Sequence, residues 1–273
     1  MPPDLLPGSI VEIGPGVPRD EWFDLVDAAL TAKAWIALPA GDLGELGRSW
    51  GVRGVSPAAL LLAPKRGSSR GWSRFLDVAV SLALLVVLSP MLFLVGVGVL
   101  LSGPGPVLYR TLVVGRNGAT FVWHKFRSMR PALPADDEAR KTAFAAFVRG
   151  ELRGAPDTKV VAENRVTPFG AWLRRHSLDE LPQLWSVLVG QMALVGPRPC
   201  LPYEKQHYLG WRTRRFAVQP GLTGLWQVYG RSRVGFDESV VMDVLYGYVK
   251  CPWLDSRLVA RTALVVLRGL GGR

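Results

Sequence analysis

The sequence predicts an α+β protein, predominantly helical, with one bent membrane helix and a small α/β appendage at its N-terminus. Three observations carry this expectation. Val78–Leu101 is 24 residues without a charge; at ~1.5 Å rise per residue it is ample to cross ~30 Å of hydrocarbon. Outside it, runs of helical spacing outweigh the few strand-length apolar runs. The charge is also unevenly spread. Residues 1–70 carry 7 basic and 8 acidic side chains, the remaining 203 carry 26 and 14, so the whole net charge of +11 belongs to the second part.

In the appendage, residues 9–13, 34–38 and 58–62 are short apolar runs of strand length, and residues 20–33 have helical spacing with Asp20 as a candidate cap. Residues 64–71, PKRGSSRG, are basic, small and flexible, which predicts a linker. The N-terminal residues mix acids with proline and glycine where a secretory signal would be apolar, so membrane attachment is expected from within the chain.

The membrane segment is interrupted near its middle by Ser89-Pro90, where proline removes a backbone hydrogen bond and bends the helix. Lys65, Arg66, Arg70 and Arg74 precede it, and Arg110, Arg116, Lys125 and Arg127 follow. Positive flanks belong on the cytoplasmic side, so the rule pulls both ends to one face. A re-entrant helix and a kinked crossing both satisfy the residues alone.

Beyond it, VVGRNGATFVWHKF reads as a β-hairpin turning at Asn117-Gly118. Asp136, Asp137 and Glu138 head a helix; a charged helix start explains them better than a metal cluster. Residues 254–270 repeat Leu and Val at helical spacing with arginines between, an amphipathic helix for the domain surface or for lipid. Cys200 and Cys251 have no partner at ligand spacing, which indicates neither a zinc site nor a disulfide framework.

Unusual side chains gather between residues 165 and 233. In RRHSLDELPQLW (174–185), Ser177 and Glu180 have capping-box spacing, but Pro182 fits a helix starting at Leu178 or Asp179 better. Either start puts Asp179 at a positive helix end beside Arg174 and Arg175, a setting that keeps a carboxylate ionised and receives phosphate. GPRP (196–199) fixes where the Arg198 guanidinium points, which suits bidentate phosphate contact. Residues 222–228 read as a tight turn into a strand, with Arg231 and Arg233 beyond it. Together these features suggest a phosphate-handling site at the base of a membrane segment. The basic charge with Trp and Tyr also raises nucleic acid as a partner, but no RNP, helix-turn-helix or zinc pattern is present and the uncharged stretch would be unexplained.

YRTLVVGRNGATFVWHKFRSM, RVTPFGAWLRRHSLDELPQLWSVLVGQMALVGPRP and QPGLTGLWQVYGR resemble the bacterial sugar transferases, and among them the small monotopic phosphoglycosyl transferases. The likeness runs from about 72 to 270, which divides the chain into an appendage with its linker, 1–70, of unknown function and a transferase domain, 71–273. It implies a monotopic membrane enzyme with a re-entrant helix at about 75–101, broken at Ser89 and Pro90. It further implies attachment at the cytoplasmic face of the bacterial inner membrane. By the same resemblance Asp179 is the nucleophile that takes a sugar phosphate from a UDP-sugar, releasing UMP, before polyprenyl (undecaprenyl) phosphate collects it. Mg²⁺ is the implied cofactor, with Asp179 and Glu180 as its ligands; Arg174, Arg198, Lys125 and Arg127 match phosphate-binding positions. Membrane lipid is an implied partner, and a homodimer another, since dimers occur in the family. Gln191, Ser186 and Cys251-Pro252 depart from the family pattern, leaving the Asp-Glu pair intact. An inactive membrane scaffold of the same fold is the alternative.

Overall fold

The computed structural model describes residues 10–13, 17–32, 34–39, 59–62, 70–131, 134–152, 165–230 and 234–269. The appendage runs β1 (Ile10–Glu12), α1 (Arg19–Thr31), β2 (Trp35–Pro39) and β3 (Ala59–Leu62). β1 and β2 pair in parallel through the α1 crossover, and β3 returns antiparallel to β2. Every element expected there forms. Pro18, however, holds the cap position of α1, while Asp20 Oδ1 accepts the distant Trp211 backbone N–H at 2.8 Å. Most of the expected linker, with Lys65 and Arg66, lies outside the described residues.

The uncharged segment becomes two helices, α2 (Arg70–Val87) and α3 (Ser89–Leu101), meeting at Leu88 at 63°. The break falls at the Ser-Pro pair for a visible reason. Pro90 cannot donate to the Val86 carbonyl, and the Ser89 hydroxyl does so instead at 2.7 Å. That local repair leaves no stranded carbonyl in apolar surroundings, where one would be costly. Phe75, Val86, Val87, Phe93, Leu94 and Leu101 face outward. An apolar surface of this size needs a nonaqueous neighbour. No single helix among the described residues is long and apolar enough to cross a membrane; α2 and α3 reach that length and apolarity only when taken together across their bend.

The inner face of α2 is polar at helical spacing. Arg74 donates to the Val187 and Leu188 carbonyls, both at 2.6 Å, and Asp77 accepts the Leu194 N–H at 3.0 Å. Arg74 is thus committed to a helix C-terminus, where four carbonyls lack intrahelical partners. It is not the free membrane-flanking charge that the sequence suggested.

β4 (Leu108–Val114) and β5 (Thr120–Phe126) form the expected hairpin in register Leu108↔Phe126 to Val114↔Thr120. Asn117 (φ 54°) and Gly118 (φ 76°) supply the left-handed turn. α4 (Pro134–Val148) starts on the acidic run; Asp137 and Glu138 pair with Arg140 and Lys141 one turn on, and Asp136 lies 3.1 Å from Arg165.

α5 (Pro168–Arg175), the 3₁₀ turn Leu178–Glu180, α6 (Gln183–Leu188) and β6 (Ala193–Val195) follow, then α7 (Pro202–Lys205), the 3₁₀ segment Gly210–Ala217 and β7 (Gly221–Thr223). β6 and β7 pair in parallel, so close that a Cβ on Gly221 would lie 2.0 Å from the Gly196 nitrogen. Residues 222–228, expected as a tight turn into a strand, are instead the end of β7 and most of a helix, α8 (Leu225–Tyr229). Arg231 and Arg233 lie outside the described residues. α9 (Phe236–Val249) is the most buried helix of the domain, and α10 (Pro252–Leu267) ends the chain's described part. Leu254 and Leu258 of α10 are buried, Thr262 meets the Thr223 hydroxyl at 2.6 Å, and Leu264 and Leu267 are exposed, so this amphipathic helix packs by one face.

One hydrophobic core joins both parts of the chain: Trp22, Phe23 and Val26 of α1 pack with Trp211, Phe236, Val241 and Leu245. The Phe23 ring stacks on Trp211 at 5.3 Å.

Candidate active site

Ser177, expected as a side-chain cap, instead occupies the left-handed region (φ 52°, ψ 22°) and caps nothing with its hydroxyl. Such backbone costs about 1–2 kcal/mol for a residue with a Cβ. It ends α5 abruptly and turns the chain into the 3₁₀ turn that carries Asp179 and Glu180. Pro182 then stands at the cap of α6, outside the helix whose hydrogen bonds it would break.

Glu180 therefore does not reach back to Ser177. Its Oε1 accepts the Lys125 ammonium at 2.6 Å and lies 3.5 Å from an Arg198 guanidinium nitrogen. Lys125 comes from β5 and Arg198 from the Gly-Pro-Arg-Pro turn after β6, so three separate elements converge on one carboxylate. Both cations sit over the Trp123 ring, 4.0 and 5.3 Å from its centroid. An aromatic face favours cations and orients them.

The two adjacent carboxyls are driven apart. Burial raises the Glu180 pKa, but the Lys125 and Arg198 charges more than offset that and hold it at about 2. Burial dominates at Asp179: with the Glu180 charge it lifts that carboxyl above the usual aspartate range, against the pull of Lys125 and Arg174. Asp179 is buried, and Arg174 at the end of α5 is near enough for its charge to be felt there. A cavity of about 1040 Å³ opens over this group, lined by Lys125, Arg174, Asp179, Glu180 and Arg198 and walled further off by α10.

Lys125, Arg174, Arg198, Asp179 and Glu180 are thus brought together. Arg127, the remaining candidate, borders the same cavity but spends its Nη2 on the Val99 and Gly103 carbonyls. It holds the end of α3, a use its position in the sequence did not disclose. Ser89 and Pro90 lie at the helix break as expected.

Three further groups escaped the sequence. Trp123 reads as a strand residue until the two cations are seen above it. Arg215 and Asp243 form a buried ion pair, 2.8 Å from Nη2 to Oδ2, and the same Nη2 donates to the Arg198 carbonyl at 2.7 Å. Arg74 and Asp77 tie α2 to both arms of the site, since α6 follows the carboxylates and β6 leads to Arg198. Only their wide separation along the chain conceals them.

Among the described residues no three His, Cys, Asp or Glu side chains converge as a metal cage. A two-carboxylate site still suits Mg²⁺, which keeps several waters and completes its shell with substrate phosphate. Both ion pairs of Glu180 fall on Oε1.

The sequence profile of the bacterial sugar transferase family matches residues 68–269. The chain is 38% identical over 201 residues to the undecaprenyl-phosphate galactose phosphotransferase of Salmonella typhimurium, covering 74% of this chain and 41% of that protein. It is 36% identical over 198 residues to the exopolysaccharide production protein ExoY of Rhizobium meliloti, covering 72% and 86%. With the UDP-glucose:undecaprenyl-phosphate glucose-1-phosphate transferase of Xanthomonas campestris it shares 35% over 205 residues, 70% of this chain and 38% of the relative. The first of these matches therefore spans about two fifths of the relative's length, and the appendage lies outside the family match. The region that carries the bent helix pair, the Asp179-Glu180 turn and the Arg198 loop is the region matched, and the chain belongs to the bacterial sugar transferase family.

Proposed function

We propose that this chain transfers a sugar 1-phosphate from a UDP-sugar to undecaprenyl phosphate through a covalent intermediate on Asp179. The observation that carries the reading is the convergence of Lys125, Arg174 and Arg198 on two adjacent carboxyls, in a cavity also lined by Val80, Leu84 and Leu88 of the bent apolar segment. The relatives' names point to the same class of donor and acceptor.

In the first step an Asp179 carboxylate oxygen attacks the β-phosphorus. The new bond joins that oxygen to phosphorus, the bridging P–O bond to the nucleotide breaks, and UMP leaves with the electron pair. In the second, an oxygen of undecaprenyl phosphate attacks the same phosphorus. The acyl phosphate bond breaks, which restores the carboxylate and yields the undecaprenyl diphosphate sugar.

A carboxylate is a poor nucleophile toward a dianionic diphosphate, so the site must cancel charge beforehand. Arg198 and Lys125 sit fixed over Trp123 and need little reorganisation to do this. Glu180, kept ionised by them, orients those cations before the donor arrives. Mg²⁺ held by Asp179 and Glu180 would supply Lewis-acid neutralisation of the diphosphate. Burial of Asp179 strips water from its carboxyl, which strengthens each of these interactions.

The acceptor's phosphate lies at headgroup depth. A re-entrant path for α2 and α3, with both ends on the cytoplasmic side, would hold Asp179 there, and the 63° bend supports that path over a straight crossing. The inactive-scaffold reading gains no support from a site with its carboxyls and cations assembled.

The test is UMP release from a panel of UDP-sugars with undecaprenyl phosphate. Asp179→Asn is expected to lose at least about 10³-fold in turnover while remaining folded. Native rates in that variant would remove Asp179 from the role of nucleophile.

A further inference from the structure

We infer that Arg215 is a positioning residue for Arg198: braced by Asp243, it fixes the Arg198 backbone so that the guanidinium meets the donor's diphosphate. The inference rests on the reading of Arg198 as a phosphate ligand.

Arg198 stands between two prolines, and neither has an N–H with which to anchor the turn. The turn is instead held through carbonyls. Gly221 N–H donates to the Pro197 carbonyl at 2.8 Å, and Arg215 Nη2 donates to the Arg198 carbonyl at 2.7 Å. Arg215 in turn is locked on three sides. Its Nε and Nη2 lie 3.1 and 2.8 Å from Asp243 Oδ2, and its guanidinium packs 4.4 Å from the Tyr208 ring centroid.

Both members of the pair are almost wholly buried, with side chains 4% and 3% exposed. A buried ion pair is seldom favourable for stability over an apolar pair of similar size, because desolvation offsets the attraction. What an apolar pair cannot do is donate to the Arg198 carbonyl. Lysine would keep the charge but not the planar fork that serves a carboxylate and a carbonyl together. The neighbouring Arg214 points the other way, to Asp24 and Asp27 of the appendage. Of the three arginines in the Gly210–Ala217 segment, Arg215 serves the site, Arg214 the appendage, and Arg212 pairs with Asp237.

Truncating either partner alone strands a buried charge and invites unfolding. The paired substitution Arg215→Met with Asp243→Leu avoids that, and Arg215→Lys gives a milder variant. Two measurements decide the case on full-length protein in lipid nanodiscs. The first is amide exchange at residues 196, 198, 200 and 201, expected to quicken in the paired variant while α9 away from Asp243 stays protected. The second is a double-mutant cycle on the affinity for UDP. Losing the brace should weaken UDP about tenfold, as when one charge-assisted hydrogen bond is lost. In an Arg198→Ala background it should weaken UDP no further. Unaltered exchange overturns the inference, as does a loss of UDP affinity that persists without Arg198. Should the native chain bind no UDP, the nucleotide reading fails, and the exchange result alone rules on whether Arg215 holds the turn.

Discussion

Asp179 loses more to burial than Lys125 and Arg174 return, so its carboxyl keeps a proton to higher pH than an ordinary aspartate with a pKa of about 3.9. Ionisation of this group is then opposed by folding: its contribution to stability is present at low pH and is lost as pH rises through the raised value. Two outcomes follow with definite sign. The acid limb of kcat/KM should lie above the ordinary aspartate range, because in the proposed mechanism the attacking form is the ionised one. Asp179→Asn should melt at or above the native temperature at pH 7, by about 2–4 °C for each kcal/mol of relieved cost. A lower melting temperature would contradict the raised pKa. Glu180 works in the opposite sense: held at about 2, it stabilises the fold above its ordinary pKa and loses this only as pH falls toward 2. The sequence drew attention to the Asp-Glu pair, Arg174 and Arg198, but the helix start expected at Leu178 or Asp179 is a 3₁₀ turn, and burial raises the Asp179 pKa where a helix end was expected to keep it ionised. The left-handed Ser177 was not legible, since a serine three residues before a glutamate matches a capping box equally well.

At the scale of elements, the break between α2 and α3 was readable because proline acts on its own backbone, and the hairpin was readable because Asn-Gly sets its own turn. Contacts between distant segments were not. Arg74 and Arg127 read as membrane-flanking charges, yet each donates to carbonyls near a helix end far along the chain. Ser89 and Pro90 act together, so their variants should differ. Pro90→Ala restores the donor to Val86 and should straighten the pair toward a single span. Ser89→Ala leaves the bend and exposes one unsatisfied carbonyl, worth about 1 kcal/mol. Cysteine labelling at position 60 reads the result: reagent from the cytoplasmic side should reach it in the native chain, whereas labelling from the periplasmic side alone would show a true crossing. Phe93, Leu94 and Leu101 are exposed apolar side chains, which either path would turn toward lipid.

For the whole molecule, composition separates an appendage from a basic domain, but the fold gives them one core. Phe23 lies between Trp22, Trp211 and Tyr248, and Arg214 bridges to Asp24 and Asp27. Aromatic surface on a short helix said nothing of where it would be buried. Phe23→Ala should cost about 3–5 kcal/mol and lower the melting temperature of the full chain accordingly; an unchanged melt would show that the appendage does not dock as described. In the larger arrangement Arg74 and Asp77 clamp α2 to α6 and β6, the elements that adjoin Asp179 and Arg198 in the chain. In the proposed mechanism the Asp179 carboxylate becomes bonded to phosphorus in passing, and that bond can be sought directly. Native protein in nanodiscs, incubated with a UDP-sugar whose β-phosphate is labelled and with no acceptor lipid, should gain one sugar phosphate on the peptide containing Asp179 and lose it when undecaprenyl phosphate is added. Turnover of the same donor with no labelled peptide at any time, in rapid-quench samples, would contradict the covalent mechanism.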